Sequence, residues 1–343
     1  MEYGAIDLHL RRSQVRILDE NEVVVLDRRI DTTRADLDRI FAGRRRMRIL
    51  IESSTESEWV AQHLEVLGHD VVVADPNYAA MYGSRSRRVK TDKRDVAALA
   101  SACRQGIYRR AHRVAAPTRR LRQRMRVRRH VVQMRSGLIS VLRSLLRQDG
   151  WRLPAGSVER VVQRLDQLEV SADLTAMLAP LRTIIGQLTM IVAALDEEVE
   201  ARATSDPVSQ RLMTAPGVGP VLALTFHAAL DDPARFGGQA ARASAFVGLV
   251  PSEDTSAERQ HKGHITKTGP REVRALLVQA SWAIWRGRSP AGGELRRWAQ
   301  ALAARRGRRI AIVALARRLT RILYAMWRDQ TDFVPRQRAA MAA

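Results

Sequence analysis

Four carboxylates and one serine-bearing segment are the residues whose types and spacing could do chemistry in this chain. Asp7 stands between Ile6 and Leu8 in a short apolar run, and Glu52 closes the run that begins at Arg48. A carboxylate on a buried strand is costly to desolvate unless a partner takes its charge, and a metal ion is one such partner. Asp92 and Asp95 are three residues apart, so a helix starting there carries both on one face. Hard oxygen ligands from separate elements suit Mg²⁺ or Mn²⁺, and two such ions about 4 Å apart clamp a phosphodiester during in-line displacement. Each acid also has a plain structural reading: Asp92 as a helix N-cap, Asp7 and Glu52 as partners of the surplus arginines. Taken singly the structural reading outweighs the catalytic one. Their coincidence with a phosphate-binding charge run tips the balance to the metal.

Residues 251–269 offer the hydroxyls of Ser252, Thr255 and Ser256 among His261, Lys262, His264 and Lys267. A serine can attack phosphorus where cations stabilise the departing oxygen and its own proton is taken up. Serine in a polar segment is more often a turn residue, and His261 and His264 read more readily as solvated side chains than as acid or base groups. Lys262 and Lys267 are candidate phosphate contacts, with Arg271 and Arg274 adding to them from the next helix.

The 343 residues exceed one average domain, and the formal net charge of +22 raises the expectation of a polyanionic partner. Between Arg85 and Arg135 stand 18 basic residues and 2 acids, a local net of +16, against +6 for the remainder. So one-signed a run repels itself unless phosphates or another partner neutralise it, although a solvated helix face is the plainer alternative. Arg87, Arg88, Lys90, Lys93, Arg94, Arg119 and Arg120 are its candidate nucleic-acid contacts. The single cysteine, Cys103, excludes an internal disulfide, and no Cys/His spacing fits a zinc finger. A reducing cytoplasm fits, and the first residues lack the pattern of a secretory signal. The apolar stretch 176–195 contains Arg182 and Gln187, so it is expected as a packed helix and no membrane partner is expected.

The elements that must position these residues follow from periodicity. Runs at 3–8, 14–18 and 22–27 read as neighbouring strands, 34–41 as a helix, 47–51 as a buried strand, 56–67 as a helix and 70–74 as a further strand. That order makes a mixed α/β sheet. Val131, Met134, Leu138, Val141 and Leu145 form one helical stripe, and Leu174, Leu178, Leu181, Ile185, Leu188, Val192, Leu195 and Val199 another. Joined around residues 151–156, with Pro180 expected to kink or restart the second, they read as a helical hairpin or coiled-coil arm that pairs with itself or another subunit. Core packing gives the same periodicity. Beyond residue 205 helices are expected at 240–249, 271–285 and 308–327, with 251–269 as an exposed loop and the tail frayed. The turn Pro216-Gly217-Val218-Gly219 resembles a helix-hairpin-helix, or is an ordinary inter-helix turn.

The ordered motifs Ala5-Ile6-Asp7-Leu8-His9, Ile51-Glu52-Ser53-Ser54-Thr55, Ala74-Asp75-Pro76, Lys90-Thr91-Asp92-Lys93-Arg94-Asp95, Pro216-Gly217-Val218-Gly219 and Gly248-Leu249-Val250-Pro251 resemble one family over nearly the whole chain. It is the DEDD insertion-sequence transposases, the IS-one-ten group, to which pilin-gene invertases are also similar. The most specific pieces are 90–95 and the ordered pair of Gly-Leu-x-Pro and Lys-x-Gly around Ser256. The resemblance implies an α/β plus α fold: a RuvC-like, RNase H type N-terminal domain (1–115), a helical coiled-coil middle (116–204), a mostly helical C-terminal transposase domain (205–332) and a flexible tail (333–343). It implies that Asp7, Glu52, Asp92 and Asp95 are the metal-binding acidic tetrad and that Ser256 forms a covalent phosphoserine link to DNA. The acids and their Mg²⁺ are then contributed by a different protomer of a tetramer assembled from dimers, and a noncoding bridge RNA pairs with donor and target double-stranded DNA. Ala257 stands where the family has glycine after the serine, and Ser54-Thr55 where Thr-Gly is common. Ser252 and Thr255 therefore stay beside Ser256 as candidate nucleophiles. A RuvC-like endonuclease acting on structured DNA and a non-catalytic nucleic-acid-binding protein are the rival functions. No Walker-type phosphate loop is present, and transesterification needs no ATP.

Overall fold

Short β-branched and aliphatic runs, interrupted by charged turns, give the first third of the chain its sheet. In the computed structural model, residues 1–83, 91–256 and 259–335 are described, with the side chains of 254–262 outside that description. β1 (Tyr3–Asp7), β2 (Arg12–Leu18) and β3 (Val24–Asp31) form an antiparallel meander. β1 then pairs in parallel with β4 (Arg48–Glu52), and β4 with β5 (Asp70–Ala74), for a strand order β3-β2-β1-β4-β5. Parallel pairing requires crossovers, which α1 (Arg34–Phe41) and α2 (Ser57–Val66) supply.

Alternation places Ile6, Val15, Ile17, Ile49 and Ile51 in a core with Leu37, Phe41 and Leu64 of α1 and α2. Ala5, Leu50 and Val72 face the other way, against Val96, Leu99 and Cys103 of α3 (Asp92–Gln105). Covered on both faces, β4 and β5 read in sequence as nearly continuous apolar runs. A five-stranded mixed sheet flanked by helices is compatible with an RNase H type domain.

Two strand boundaries depart from expectation. β2 starts at Arg12 rather than at residue 14, and β3 runs to Asp31 instead of ending at 27. The expected start of β3 is consumed by a turn in which Glu22 takes a left-handed conformation (φ 66°). Its extension through Arg28 and Arg29 is edge-strand pairing with exposed side chains, which leaves no hydropathy signal.

Two compact units, Met1–Arg113 and Val114–Ala343, divide the chain. The second is built on α4 (Ala116–Gln148) and α6 (Ala172–Ser205), with the short α5 (Val161–Asp166) between them. The end of α4 shares a core with the start of α6 through Leu142, Leu146, Leu174 and Leu178, and the start of α4 meets the end of α6 through Leu121, Met125, Val199 and Ala203. The pair is thus antiparallel, joined by a link longer than the expected turn at 151–156. Pro180 does not restart α6, which is continuous through it; Pro180 is exposed, so water can take the carbonyl freed by its missing N–H. α6 is also long and apolar enough to cross a membrane, and Met177, Ile184, Met190 and Ile191 are exposed along it.

α7 (Pro207–Met213), α8 (Pro220–Leu230), α9 (Ala240–Phe246), α10 (Arg271–Arg286), α11 (Gly293–Arg306) and α12 (Arg308–Arg328) pack around Phe226, Leu277, Leu319 and Tyr324. Between α9 and α10 the expected exposed loop is instead an antiparallel hairpin, β6 (Pro251–Ser256) and β7 (Arg259–Ile265). Its strands are polar on both faces, so the period-two apolar signal was missing from the sequence.

Candidate active site

β1 and β4 run in the same direction, with Ile6 opposite Ile51, so Asp7 and Glu52 leave the sheet at neighbouring carboxyl ends. Ligand sites of open α/β sheets form at those ends. Asp92 and Asp95 lie in the first turn of α3, the helix packed on this face. The N-cap of α3 is Thr91, whose hydroxyl accepts the Arg94 N–H, so Asp92 does not fill the capping role expected from sequence. Among the described residues no arginine reaches ion-pair distance of Asp7 or Glu52, which removes the other structural reading.

The other three acids act on Asp7. Burial pushes the Asp7 carboxyl above its usual range, His9 pulls it back, and the negative charges of Asp92, Asp95 and Glu52 push it up again. His9 Nε2 lies 3.5 Å from Asp7 Oδ2 and 3.8 Å from Asp92 Oδ1. Ligand atoms of Asp7, His9 and Asp92 all fall within 4.8 Å of one another, a donor set of carboxylate oxygens and one imidazole that fits a divalent cation. His9 is the residue that reading by type passed over: its only signal was position two after Asp7. The Cys103 thiol is no rival nucleophile, because burial pushes it up to about 12.

The serine-bearing hairpin is held at its stem. Gly248 (φ 68°) and Gly269 (φ 69°) pass so close to opposing backbone that an added Cβ would meet the Thr268 carbonyl at 2.3 Å and the Phe246 carbonyl at 1.8 Å. Arg274 Nη1 donates to the Val247 and Thr268 carbonyls at 2.9 and 2.8 Å, tying the two sides together. The Gly-Leu-x-Pro and Lys-x-Gly pair is therefore a clamp below the strands. Ser252 Oγ donates to the His264 carbonyl at 3.1 Å. Register sets Ser256 opposite Arg259 at the tip, Asp254 opposite His261 and Glu253 opposite Lys262. The side chains of Ser256 and Lys262 lie outside the description.

Of the candidate phosphate contacts, Arg87, Arg88 and Lys90 lie outside the described residues. Lys93 and Arg94 are exposed on the first turn of α3 beside the acids, and Arg271 is exposed at the start of α10. Lys267 adopts φ 56° beneath the hairpin. Arg120 is exposed, and Arg119 donates to the Val114 carbonyl. Much of the basic charge further along α4 is answered within the unit: Arg128 by Asp196, Arg124 by Glu198, Arg129 by Glu272, and Arg122 by the Ala228 and Ala229 carbonyls. Gly217 (φ 74°) in the turn before α8 is fixed by packing, since a Cβ there would sit 2.8 Å from the Ala280 carbonyl of α10.

Two family models match the chain. One, a transposase model of the DEDD type named for IS110, matches residues 5–149, which include all four acids; the other, described as the IS116/IS110/IS902 transposase family, matches residues 209–295, which include the hairpin. A probable family 20 transposase of Pseudomonas aeruginosa is 27% identical over 338 residues, covering 96% of this chain and 98% of its own. The transposase of insertion sequence element IS1111A from Coxiella burnetii is 27% identical across 71% of this chain and 68% of its own, and that of IS1328 from Yersinia enterocolitica 24% across 83% and 85%. These matches place the chain in the IS110-type family of DNA transposases.

Proposed function

We propose that this transposase cuts and rejoins double-stranded DNA through a covalent phosphoserine on Ser256, with Asp7, Glu52, Asp92 and Asp95 holding Mg²⁺. The observation that supports the reading is the gathering of Asp7 and Asp92 with His9 into one donor set, with Glu52 at the neighbouring strand end and Asp95 in the first turn of the same helix as Asp92. Bound divalent ions would neutralise phosphate charge and favour ionisation of the attacking hydroxyl. His9 steadies Asp7 and Asp92 from the solvent side. Ser256 Oγ attacks phosphorus, the bond to the departing strand's oxygen breaks as the Oγ–P bond forms, and the serine proton passes through solvent to that oxygen. A hydroxyl of the incoming strand then attacks the same phosphorus and returns the serine, so the number of phosphodiesters is conserved. Ser252 is the weaker candidate, since its hydroxyl is committed to His264.

Acid-bearing (1–115), coiled-coil (116–204) and serine-bearing (205–332) domains divide the labour in this reading. Guidance by a bridge RNA and supply of the acids from another protomer of a tetramer rest on the family resemblance. The test uses end-labelled DNA and detergent denaturation. Wild-type protein retains label, and Ser256→Ala loses it while still binding DNA. Label retained by Ser256→Ala and lost by Thr255→Ala would move the nucleophile, and free nicked ends from wild type would make the chain a hydrolytic nuclease.

A further inference from the structure

α12 contains six arginines and no acid. Arg317, Arg318, Arg321 and Arg328 recur at helical spacing and, with Ile322 and Trp298 of α11, line an open groove of about 680 Å³. Two of the four are engaged. Arg318 lies over the Trp298 ring at 4.8 Å and 3.5 Å from Glu294, while Arg328 pairs with Asp329 at 2.6 Å. Arg317 and Arg321 have neither an ion pair nor a hydrogen bond among the described residues.

Two uncompensated guanidinium groups four residues apart are set about 6 Å along one helix. Beside them is an indole already stacked with a cation, and beneath them an apolar floor. Cations that follow a backbone, next to an aromatic face for a base, are what an unpaired nucleotide strand requires. The groove has the volume of a small-ligand pocket, which suits an unpaired nucleotide and not the girth of a duplex. An acidic peptide would satisfy the arginines and leave the indole stack without purpose.

We propose that the α11–α12 groove holds an unpaired stretch of nucleic acid, with its phosphates on Arg317 and Arg321 and a base against the Trp298–Arg318 stack. This rests on the reading of the chain as a nucleic-acid recombinase and uses none of its cleavage chemistry. The test is anisotropy of labelled single-stranded RNA, single-stranded DNA and duplex DNA of one sequence, bound to the full chain in EDTA across a salt series.

Arg317→Gln/Arg321→Gln lowers the single-strand salt slope by about 1.4, and Arg321→Gln alone by about 0.7, while the duplex slope holds. Arg321 is exposed, so the single variant leaves folding intact, as circular dichroism checks. Whichever of the RNA or DNA strands shows the larger change is the occupant. An unchanged slope overturns the proposal. So does an equal loss on duplex, an equal loss from Arg28→Gln/Arg29→Gln on the exposed edge of β3, or displacement of the strand by polyglutamate. A slope change together with a failed serine adduct keeps the groove and removes the phosphoserine reading.

Discussion

Asp7 and Glu52 sit at the ends of strands whose neighbouring residues are fully buried, whereas Ser256 sits at the tip of a hairpin whose described side chains are exposed or half-buried. The acids owe their positions to a core: Ile6 and Ile51 are sealed from solvent, and one residue further on each strand a carboxylate emerges. The serine owes its position to a clamp of two glycines and one arginine at the stem. In the proposed reading the core sets the acids with the precision that metal coordination demands, while the clamp fixes the root of the hairpin. Mutations should therefore separate the two regions. Acid substitutions should spare the fold and abolish chemistry, and stem substitutions should do the reverse.

The largest effect is expected at the acids. Asp7→Asn, Glu52→Gln, Asp92→Asn or Asp95→Asn should each lower DNA cleavage by about 10³-fold or more, the loss of several kcal/mol of charge stabilisation. Asp7 adds a sign that a structural carboxylate would not give. Its carboxyl is raised in the folded state by burial and by three like charges, so its ionised form disfavours folding. Asp7's own contribution to stability is then most favourable below its usual value of 3.8 and declines as pH rises through the folded-state pKa. Asp7→Asn should raise the thermal midpoint in EDTA at neutral pH. A lowered midpoint would mean that Asp7 is a structural ion-pair partner after all.

Stem substitutions come next. Gly269→Ala places a Cβ against the Phe246 carbonyl at a left-handed φ, and about 2–4 kcal/mol of stability should be lost in urea unfolding. Divalent-ion binding by the acid cluster should survive, since Gly269 belongs to the other compact unit. If Gly269→Ala unfolds no more easily than wild type, the clamp is not what holds the hairpin.

A smaller effect is expected at Asp206, which starts α7, accepts from the Ser209 N–H and hydroxyl, and lies 2.9 Å from His227 Nδ1. Burial raises its carboxyl, but the His227 and Ser209 hydrogen bonds outweigh that and hold it at about 2. A depressed carboxylate contributes stability that is present above its usual value of 3.8 and is lost as pH falls toward 2. Asp206→Ala should cost about 2 kcal/mol at pH 7 and flatten the acid limb of the stability profile. An acid limb identical to wild type would assign that limb to other groups.

The same contrast explains what the sequence made legible. Asp7 and Glu52 stand out in the sequence because buried strands read as apolar runs and a carboxylate closes each one. The hairpin could not, since Ser252, Glu253, Asp254, Thr255 and Ser256 carry no alternation. His9 was hidden by its ordinary setting in an exposed turn. The α11–α12 groove has no mark in the overall charge: residues 293–328 hold ten arginines and one acid, a surplus offset by acids elsewhere outside 85–135. Conversely, the charge run itself looked more uniform than it is. Arg128 is answered by Asp196, 68 residues away, a pairing that no local window contains.

That last point yields the smallest prediction and the finest division of the basic segment. Arg128 is largely covered and faces an acid of the neighbouring helix, whereas Arg120 is exposed and, among the described residues, bonded only to Gln123. Arg128→Gln should cost about 0.5 kcal/mol of stability, in the range of partly exposed pairs, and leave the salt slope of duplex binding unchanged. Arg120→Gln should leave stability alone and lower that slope by about 0.9, one phosphate contact. Unfolding curves and salt-dependent binding on the two variants measure both quantities. If Arg128→Gln changes the slope and Arg120→Gln does not, the ion pair with Asp196 opens when DNA binds and the helix face turned toward α6 is the one that meets phosphate.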